Sequence, residues 1–216
     1  MKILFLGPPG VGKGTMAVRI SALLGIPHVS TGDLFRKNIE ERTRLGIEVK
    51  KILNSGALVS DELTIEMLKT RLELDDAVNG FVLDGFPRTI PQAEALSEFS
   101  DIDYAIELQC TQEILIRRLS GRRTCSVCRR IYHVDSMPPA VDNICDEDGA
   151  RLYTREDDKP ASVSRRLILY AKETQPLSDW YEEKKLLRIV DGSGEADMVF
   201  ERVKKLWTAS SRQKDA

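Results

Sequence analysis

Gly7-Pro8-Pro9-Gly10-Val11-Gly12-Lys13-Gly14-Thr15 is the stretch that decides the fold. It follows a short apolar run, Lys2-Ile3-Leu4-Phe5-Leu6, and precedes a segment with amphipathic helical spacing. A glycine-rich turn alone is often only a tight strand-to-helix connection. Here the glycines let successive N–H groups point inward, a helix beginning near Gly14 adds its positive end, and Lys13 supplies a mobile charge. Strand, turn and helix together read as a phosphate cradle. Gly7, Gly12 and Lys13 fit the spacing G-x-x-x-x-G-K-[ST], with Gly14 at the hydroxyl position and Thr15 one residue later.

Outward from this loop, short apolar segments alternate with helical patterns. Lys2 to Leu6, Pro27 to Val29, Phe81 to Leu83, Tyr104 to Leu108 and Leu187 to Val190 are predicted strands. Strands separated by helices and carrying few charges belong in a parallel sheet covered on both faces, so the expected class is α/β, a P-loop three-layer sandwich with a five-stranded parallel sheet. A ligand then belongs at the carboxyl ends of the strands. Ser60 ahead of Asp61-Glu62, Pro91 in a first turn and Thr111-Gln112-Glu113 mark helix starts, and Pro176 is expected to kink a long helix from about Ala161 to Lys185. Two stretches break the alternation. Residues 30–59 hold two helical patterns and no strand, and residues 121–159 read as irregular and cysteine-bearing. Inserts of that length at the ligand edge suit lids and binding loops, or surface decoration. The tail after Trp207 is polar enough to fray.

The bulk numbers narrow the function. With 216 residues and 42% apolar side chains, the chain can bury one core with insertions. Lys plus Arg number 32 against 34 Asp plus Glu, a formal charge of −2, which gives no general field for nucleic acid or an anionic membrane. Neither a signal-peptide pattern nor a membrane-spanning apolar run is visible, so the expected location is cytoplasmic, where the four cysteines are reduced or metal-bound rather than disulfide-linked.

Phe81-Val82-Leu83-Asp84-Gly85-Phe86-Pro87-Arg88-Thr89 sets a carboxylate where an apolar strand ends, then a turn that presents an arginine. Asp84 is placed to hold the waters of a magnesium ion near phosphates gripped by Lys13, or else to form an Asp-Gly turn. Arg88, and Arg36 after Thr31-Gly32-Asp33-Leu34-Phe35, carry planar forks suited to phosphate, to a carbonyl or to a surface acid. Cys125-Ser-Val-Cys128 and Cys145-Asp-Glu-Asp148 are two x-x-spaced pairs whose spacing suits one tetrahedral zinc, with a reduced metal-free insert or a disulfide at Cys145 as alternatives. Arg129-Arg130 stand where glycine often follows the first knuckle, and Cys110 reads as a small core residue. His28, on a short strand, and His133 read as structural.

Taken together, Gly7 to Thr15, Ser30-Thr-Gly-Asp-Leu-Phe-Arg36, Asp84-Gly-Phe-Pro-Arg-Thr89 with Gln92, Gly121-Arg-Arg123 and Arg155-Glu-Asp-Asp158 resemble the adenylate kinase family nearly end to end. In that family the offset Gly-Lys-Gly-Thr is the usual loop. The resemblance implies a P-loop core of residues 1–29, 60–121 and 160–216, a helical monophosphate-binding insert at 30–59 and a zinc-bearing lid at 122–159. It implies Mg-dependent, reversible transfer from ATP to AMP giving two ADP, by a monomer that takes ATP, AMP and ADP and neither nucleic acid nor membrane.

Carried over by position, the resemblance implies that Gly10, Val11, Gly12, Lys13, Gly14, Thr15 and Arg118 hold ATP, with Arg122 and the Gly192–Gly194 loop toward its base. The family often has lysine where Gly194 stands. Thr31, Arg36, Ala57, Val59, Gly85, Arg88, Gln92, Arg155 and Arg166 imply an AMP site, with arginines on the phosphate and Gln92 on the adenine edge. Related pyrimidine-nucleotide kinases usually continue Asp-Gly-Phe-Pro-Arg with Asn, so Thr89-Ile-Pro-Gln92 implies AMP. Lys13, Arg88, Arg122, Arg155 and Arg166 are the implied catalytic set, Arg118 joins the lid and hinge arginines around the phosphoryl group, and Asp157 and Asp158 orient them. Cys125, Cys128, Cys145 and Asp148 are the implied structural zinc ligands, and Asp84 the magnesium residue acting through water. Rival readings are a GTP-using or other nucleoside-monophosphate kinase and, from another class, a P-loop regulator that binds nucleic acid through its cysteine element; the latter requires a basic face.

Overall fold

The expected strands all form, and each stops within a residue or so of its expected end. In the computed structural model, which describes the backbone of residues 1–211 and the side chains of residues 1–206, β1 (Lys2–Leu6) leads through the glycine loop into α1 (Lys13–Leu24) and β2 (His28–Ser30). Next come α2 (Thr31–Glu40), α3 (Arg44–Asn54), α4 (Asp61–Leu72), β3 (Phe81–Asp84), α5 (Ile90–Phe99), β4 (Tyr104–Gln109) and α6 (Gln112–Gly121). After β5 (Arg122–Cys125), β6 (Ile131–His133) and β7 (Leu152–Tyr153), the chain returns through α7 (Pro160–Leu169), α8 (Leu177–Glu183), β8 (Leu187–Asp191) and α9 (Ala196–Ser211).

The large sheet has the order β2-β3-β1-β4-β8, with every pair parallel. Side chains alternate across it, so its two faces build two cores. Ile3, Phe5, Val82, Ile106 and Leu108 pack with Met16, Ala17 and Ile20 of α1 and Val199 and Val203 of α9. Leu4, Leu6, Val29, Phe81 and Leu83 pack with Leu68 of α4, Ala93 and Leu96 of α5 and Tyr181 of α8. Helices on both faces leave only the carboxyl edge open for a ligand.

Local signals start the helices as their chemistry requires. The side chains of Ser30, Thr43, Ser60 and Thr89 accept from the N–H of Asp33, Gly46, Leu63 and Gln92. Thr111 precedes α6 without a side-chain bond of this kind.

Two expectations are corrected. The stretch 121–159 is not irregular throughout: β6-β5-β7 make an antiparallel sheet. Strands of two to four residues carry too little alternation to be seen, and what orders them is pairing across the insert. Nor does one kinked helix run from Ala161 to Lys185. α7 passes into a π-helical turn, Tyr170–Thr174, closed by the Gln175 N–H on the Tyr170 carbonyl at 2.8 Å, and Pro176 precedes α8. The tail after Trp207 begins inside α9, and its residues 212–216 lie outside the described residues.

Phe5 is 1% exposed in the center of the first core. Phe5→Ala is expected to lower unfolding stability by about 3–5 kcal/mol. Denaturant titration checks this: the midpoint falls while the slope stays constant.

Candidate active site

The glycine loop turns through positive φ at Gly7, Gly10 and Gly12. A Cβ on Gly7 would sit 2.3 Å from the Leu108 carbonyl oxygen, so the loop lies against β4 only with glycine there. Gly12 begins α1 with no side chain bonded to its free N–H groups and no acid in the first turn. Those donors and the dipole behind them suit an anion from outside the chain. Meanwhile Lys13 Nζ folds back on the carbonyls of Gly7 (2.7 Å) and Pro8 (2.9 Å). Burial, then repulsion from Arg88, Arg166 and Arg122 against the pull of Asp84, brings its ammonium down to about 7. Gly14 has its own reason: a Cβ there would stand 3.1 Å from Asp84 Oδ2, so glycine lets the carboxylate close on the loop.

Asp84 ends β3 beside β1 and β2. Burial works against its ionised form, but His28 and the Lys13 and Arg88 charges outweigh that and hold it below the ordinary carboxylate range. His28 Nε2 stands 3.9 Å from Asp84 Oδ2 and has no hydrogen-bond partner, so its effect there is through space.

A cavity of about 940 Å³ opens over this edge, lined among others by Lys13, Arg36, Arg88, Arg122, Arg155 and Arg166. Arg122 forks onto both oxygens of Asp158, Arg166 reaches Asp158 Oδ1 (2.9 Å) and Asp157 Oδ2 (3.0 Å), and Arg36 pairs with Asp33. Arg88 and Arg155 have no carboxylate of their own: Arg88 Nε donates to the Gly85 carbonyl (2.8 Å) and Arg155 Nε to Thr124 Oγ1 (3.0 Å). Burial first, then Arg166, lowers Arg88 to about 10; burial first, then Arg36 and Arg122, lowers Arg155 to about 9. At 8% exposure Arg155 is no surface ion-pair residue. The expected catalytic cations therefore share one cavity, desolvated and repelling one another.

A narrow pocket beside the cavity is lined by Thr31, Ala57, Val59, Gly85, Arg88 and Gln92 of the expected set. Gln92 is fixed in it: its Oε1 accepts from the Arg88 N–H (2.8 Å) and its Nε2 donates to Asp61 Oδ1 (2.7 Å). That leaves the second amide hydrogen of Gln92 for an acceptor on a ring edge. Thr89 caps α5 and so aims Gln92 rather than lining the pocket itself. Sequence reasoning missed Phe35, Leu53, Leu58 and Thr64 on the wall, and Asp61 as the anchor of Gln92. A carboxylate at a helix start was legible only as a dipole partner.

Arg118 lines the same cavity, at its glycine-loop side. Its guanidinium donates to the carbonyls of Val11 (2.8 Å), Gly192 (2.9 Å) and Gly194 (2.7 Å), tying the glycine loop to the loop after β8. His133 is structural, its Nδ1 accepting from the N–H groups of Asp135 and Ser136.

In the insert, the ligand atoms of Cys125, Cys128, Cys145 and Asp148 lie within 4.8 Å of one another. The Val127 N–H points at Cys125 Sγ (3.3 Å) and the Cys128 N–H at Asp148 Oδ2 (3.1 Å), the turns of metal knuckles. Burial and hydrogen bonds to Asp148, Cys145 and Cys125 push the Cys128 thiol up to about 12, with only the Arg130 backbone opposing. Three sulfurs and a carboxylate so disposed fit a structural zinc, whose charge would favour the thiolates. Arg129 takes the left-handed position of the first turn (φ 66°), and its guanidinium bonds the Tyr153 hydroxyl and pairs with Glu40 of α2, so this insert touches the other one. Ser162 of α7, just past this insert, ties the core to the 30–59 insert by donating to the Asn54 carbonyl at 3.1 Å.

A glycine cradle at the carboxyl edge of a parallel sheet, facing a second basic pocket, defines a P-loop nucleotide-binding phosphotransferase. Residues 5–186 match the family model described as adenylate kinase. The chain is 49% identical over 211 residues to an adenylate kinase of Clostridium perfringens (strain SM101 / Type A), covering 95% of this chain and 98% of the relative. It is 47% identical over 210 residues to that of Caldanaerobacter subterraneus subsp. tengcongensis (95% of each) and 48% over 208 residues to that of Clostridium tetani (94% and 96%). The chain belongs to the adenylate kinase family.

A bound polyphosphate restores Lys13 toward its ordinary pKa, so between about pH 7 and pH 10 binding takes up protons and affinity falls as pH rises. Calorimetry of ATP binding at pH 8.5, in buffers of different ionisation enthalpy, is expected to show this uptake in the parent and not in Lys13→Met. For the metal, elemental analysis is expected to find one zinc per chain, lost in Cys145→Ser together with thermal stability and retained in Cys110→Ser.

Proposed function

We propose that the protein catalyses reversible phosphoryl transfer between Mg-ATP and AMP, giving two ADP. One observation carries this reading: two anion grips, the Lys13 loop and the Arg36–Arg88 pocket, face one cavity in which buried cations outnumber carboxylates. Two polyanions that repel in water are brought together only where such a surplus of fixed charge replaces their solvation.

The donor phosphates take the N–H groups of Gly10 to Thr15, and Lys13 leaves the Gly7 and Pro8 carbonyls for them. Arg36 and Arg88 hold the acceptor phosphate, while Gln92, Thr31, Ala57, Val59 and Gly85 enclose the base. Arg122, Arg155 and Arg166 meet the charge that spreads over the equatorial oxygens in the transition state, oriented by Asp157 and Asp158. Asp84 is the residue to hold magnesium through water, and that ion supplies further neutralisation of the phosphates when bound. The acceptor oxygen is already ionised near neutrality, so no strong general base is needed. Contact of the 122–159 lid with the 30–59 insert through Arg129 and Glu40, over the 1–29, 60–121 and 160–216 core, keeps water from competing as acceptor.

All the implicated residues come from one chain, which suits a monomer. Among the described residues no helix is long and apolar enough to cross a membrane. The proposed reaction goes with a cytoplasmic location, where its nucleotides are turned over.

With Mg-ATP and a panel of acceptors, AMP is expected to be phosphorylated far faster than CMP, UMP or GMP; equal turnover of CMP would assign a pyrimidine-nucleotide kinase instead. Arg88→Ala is expected to lower kcat/KM by roughly 10²–10³-fold. Its unfolding midpoint in the ligand-free state is expected to hold or rise, because the change removes repulsion with Arg166.

A further inference from the structure

The loop after β8 is held by two arginines from opposite sides. Arg118 of α6 takes the carbonyls of Gly192 (2.9 Å) and Gly194 (2.7 Å). Arg202 of α9 takes the carbonyls that alternate with them: its Nη1 donates to Asp191 O (2.9 Å) and Ser193 O (2.6 Å) and lies 3.2 Å from Asp191 Oδ2. Four successive carbonyls, 191 to 194, thus accept from guanidinium groups. The Gly192 N–H is also fixed, donating to the Gln109 carbonyl at 2.7 Å, and Asp191 Oδ1 accepts from the Ser193 N–H at 2.9 Å. These are charge-assisted bonds to a loop that packs at Gly192, against Val11 and Leu108, and is exposed at Asp191 and Gly194.

The Ser193–Gly194 peptide is where this matters. Gly194 stands at φ 90° on the cavity wall, and a Cβ there would meet nothing closer than Met198 Sδ at 3.6 Å, so packing does not fix the peptide. Glycine allows it to flip at small cost, exchanging the Ser193 carbonyl for the Gly194 N–H. Arg202 prevents this by gripping the Ser193 oxygen. The two purine donors differ in what they present at the same edge: adenine carries an amino group and a bare ring nitrogen, guanine a carbonyl and a ring N–H. A loop edge with one fixed order of donors and acceptors tells the two apart, and the proposed reaction makes adenine the one it accepts, whereas a flipping peptide can serve both.

We propose that Arg202 is a positioning residue for the donor base, which by clamping the Asp191 and Ser193 carbonyls makes the 191–194 loop a fixed edge selective for ATP over GTP. The inference rests on the reading of that loop as the donor-base site. Arg202 lies on α9 with about a third of its side chain exposed (32%), and its hydrogen bonds go to the 191–194 loop rather than to the Lys13 loop or Arg88.

The test compares the parent with Arg202→Gln and Arg202→Lys in kinetics with Mg-ATP and Mg-GTP at saturating AMP, alongside thermal unfolding. In Arg202→Gln, KM for ATP is expected to rise roughly tenfold, and the ATP-over-GTP ratio of kcat/KM to fall by a similar factor, as for loss of a charged hydrogen bond. KM for AMP and kcat at saturating ATP stay as in the parent. Arg202→Lys, whose ammonium can reach both carbonyls, is expected to restore part of the ratio. A folded Arg202→Gln with an unchanged ratio overturns the proposal, even if its unfolding midpoint drops, because a purely structural role moves only stability. Calorimetric binding of Mg-ATP and Mg-GTP without acceptor keeps the two readings separate. If the parent fails to phosphorylate AMP, the proposed reaction falls, while the binding ratio still decides the role of Arg202.

Discussion

Repulsion among buried cations is the constraint on which this structure depends. Lys13, Arg88, Arg155 and Arg166 are all displaced below their ordinary basicity by burial and by one another. No fold gathers such charges for its own stability, since each desolvated cation costs free energy that Asp33, Asp84, Asp157 and Asp158 offset only in part. The cost is retained because phosphate oxygens recover it when they arrive. The same preorganisation that weakens the ligand-free protein makes the site complementary to a dispersed negative charge.

That constraint explains the architecture around it. A covered parallel sheet supplies a rigid base, and its carboxyl edge brings the Gly7–Thr15 loop, Asp84 and the loop after β8 onto one line. The remaining cations come from outside the sheet: Arg36 on α2, Arg122 on β5, Arg155 just before α7 and Arg166 within it. Arg36, Arg122 and Arg155 thus sit on inserts that meet each other through Arg129 and Glu40, and α7, which carries Arg166, meets the first insert through Ser162 and the Asn54 carbonyl. The cysteine cluster belongs to the same design. Its insert has a small core of Cys125, Tyr132, Cys145 and Leu152, two of them candidate ligands, so a metal bound there would add to the folding free energy of the element that carries Arg122.

The sheet, the phosphate loop and the residue types of the site are legible in the chain's residues alone. Those are local: a strand's apolar run, a glycine spacing and a lysine in register act within one segment, and x-x-spaced ligands suit a tetrahedral centre without knowledge of the fold. Whatever depends on distant partners is set by the folded arrangement. The three short strands of the 122–159 insert exist through pairing between residues far apart in the chain, and the break in the helix near residue 170 is a π turn upstream of the proline that marked it. Gly14 looked like a departure from a motif until Asp84, 3.1 Å from where its Cβ would be, gave the steric reason. Asp61 holding Gln92, and Arg118 and Arg202 closing on alternate carbonyls of one loop, left no trace in sequence. A side chain's chemistry is written in its own residue, whereas its partner is set by the packing of elements that bring distant segments together.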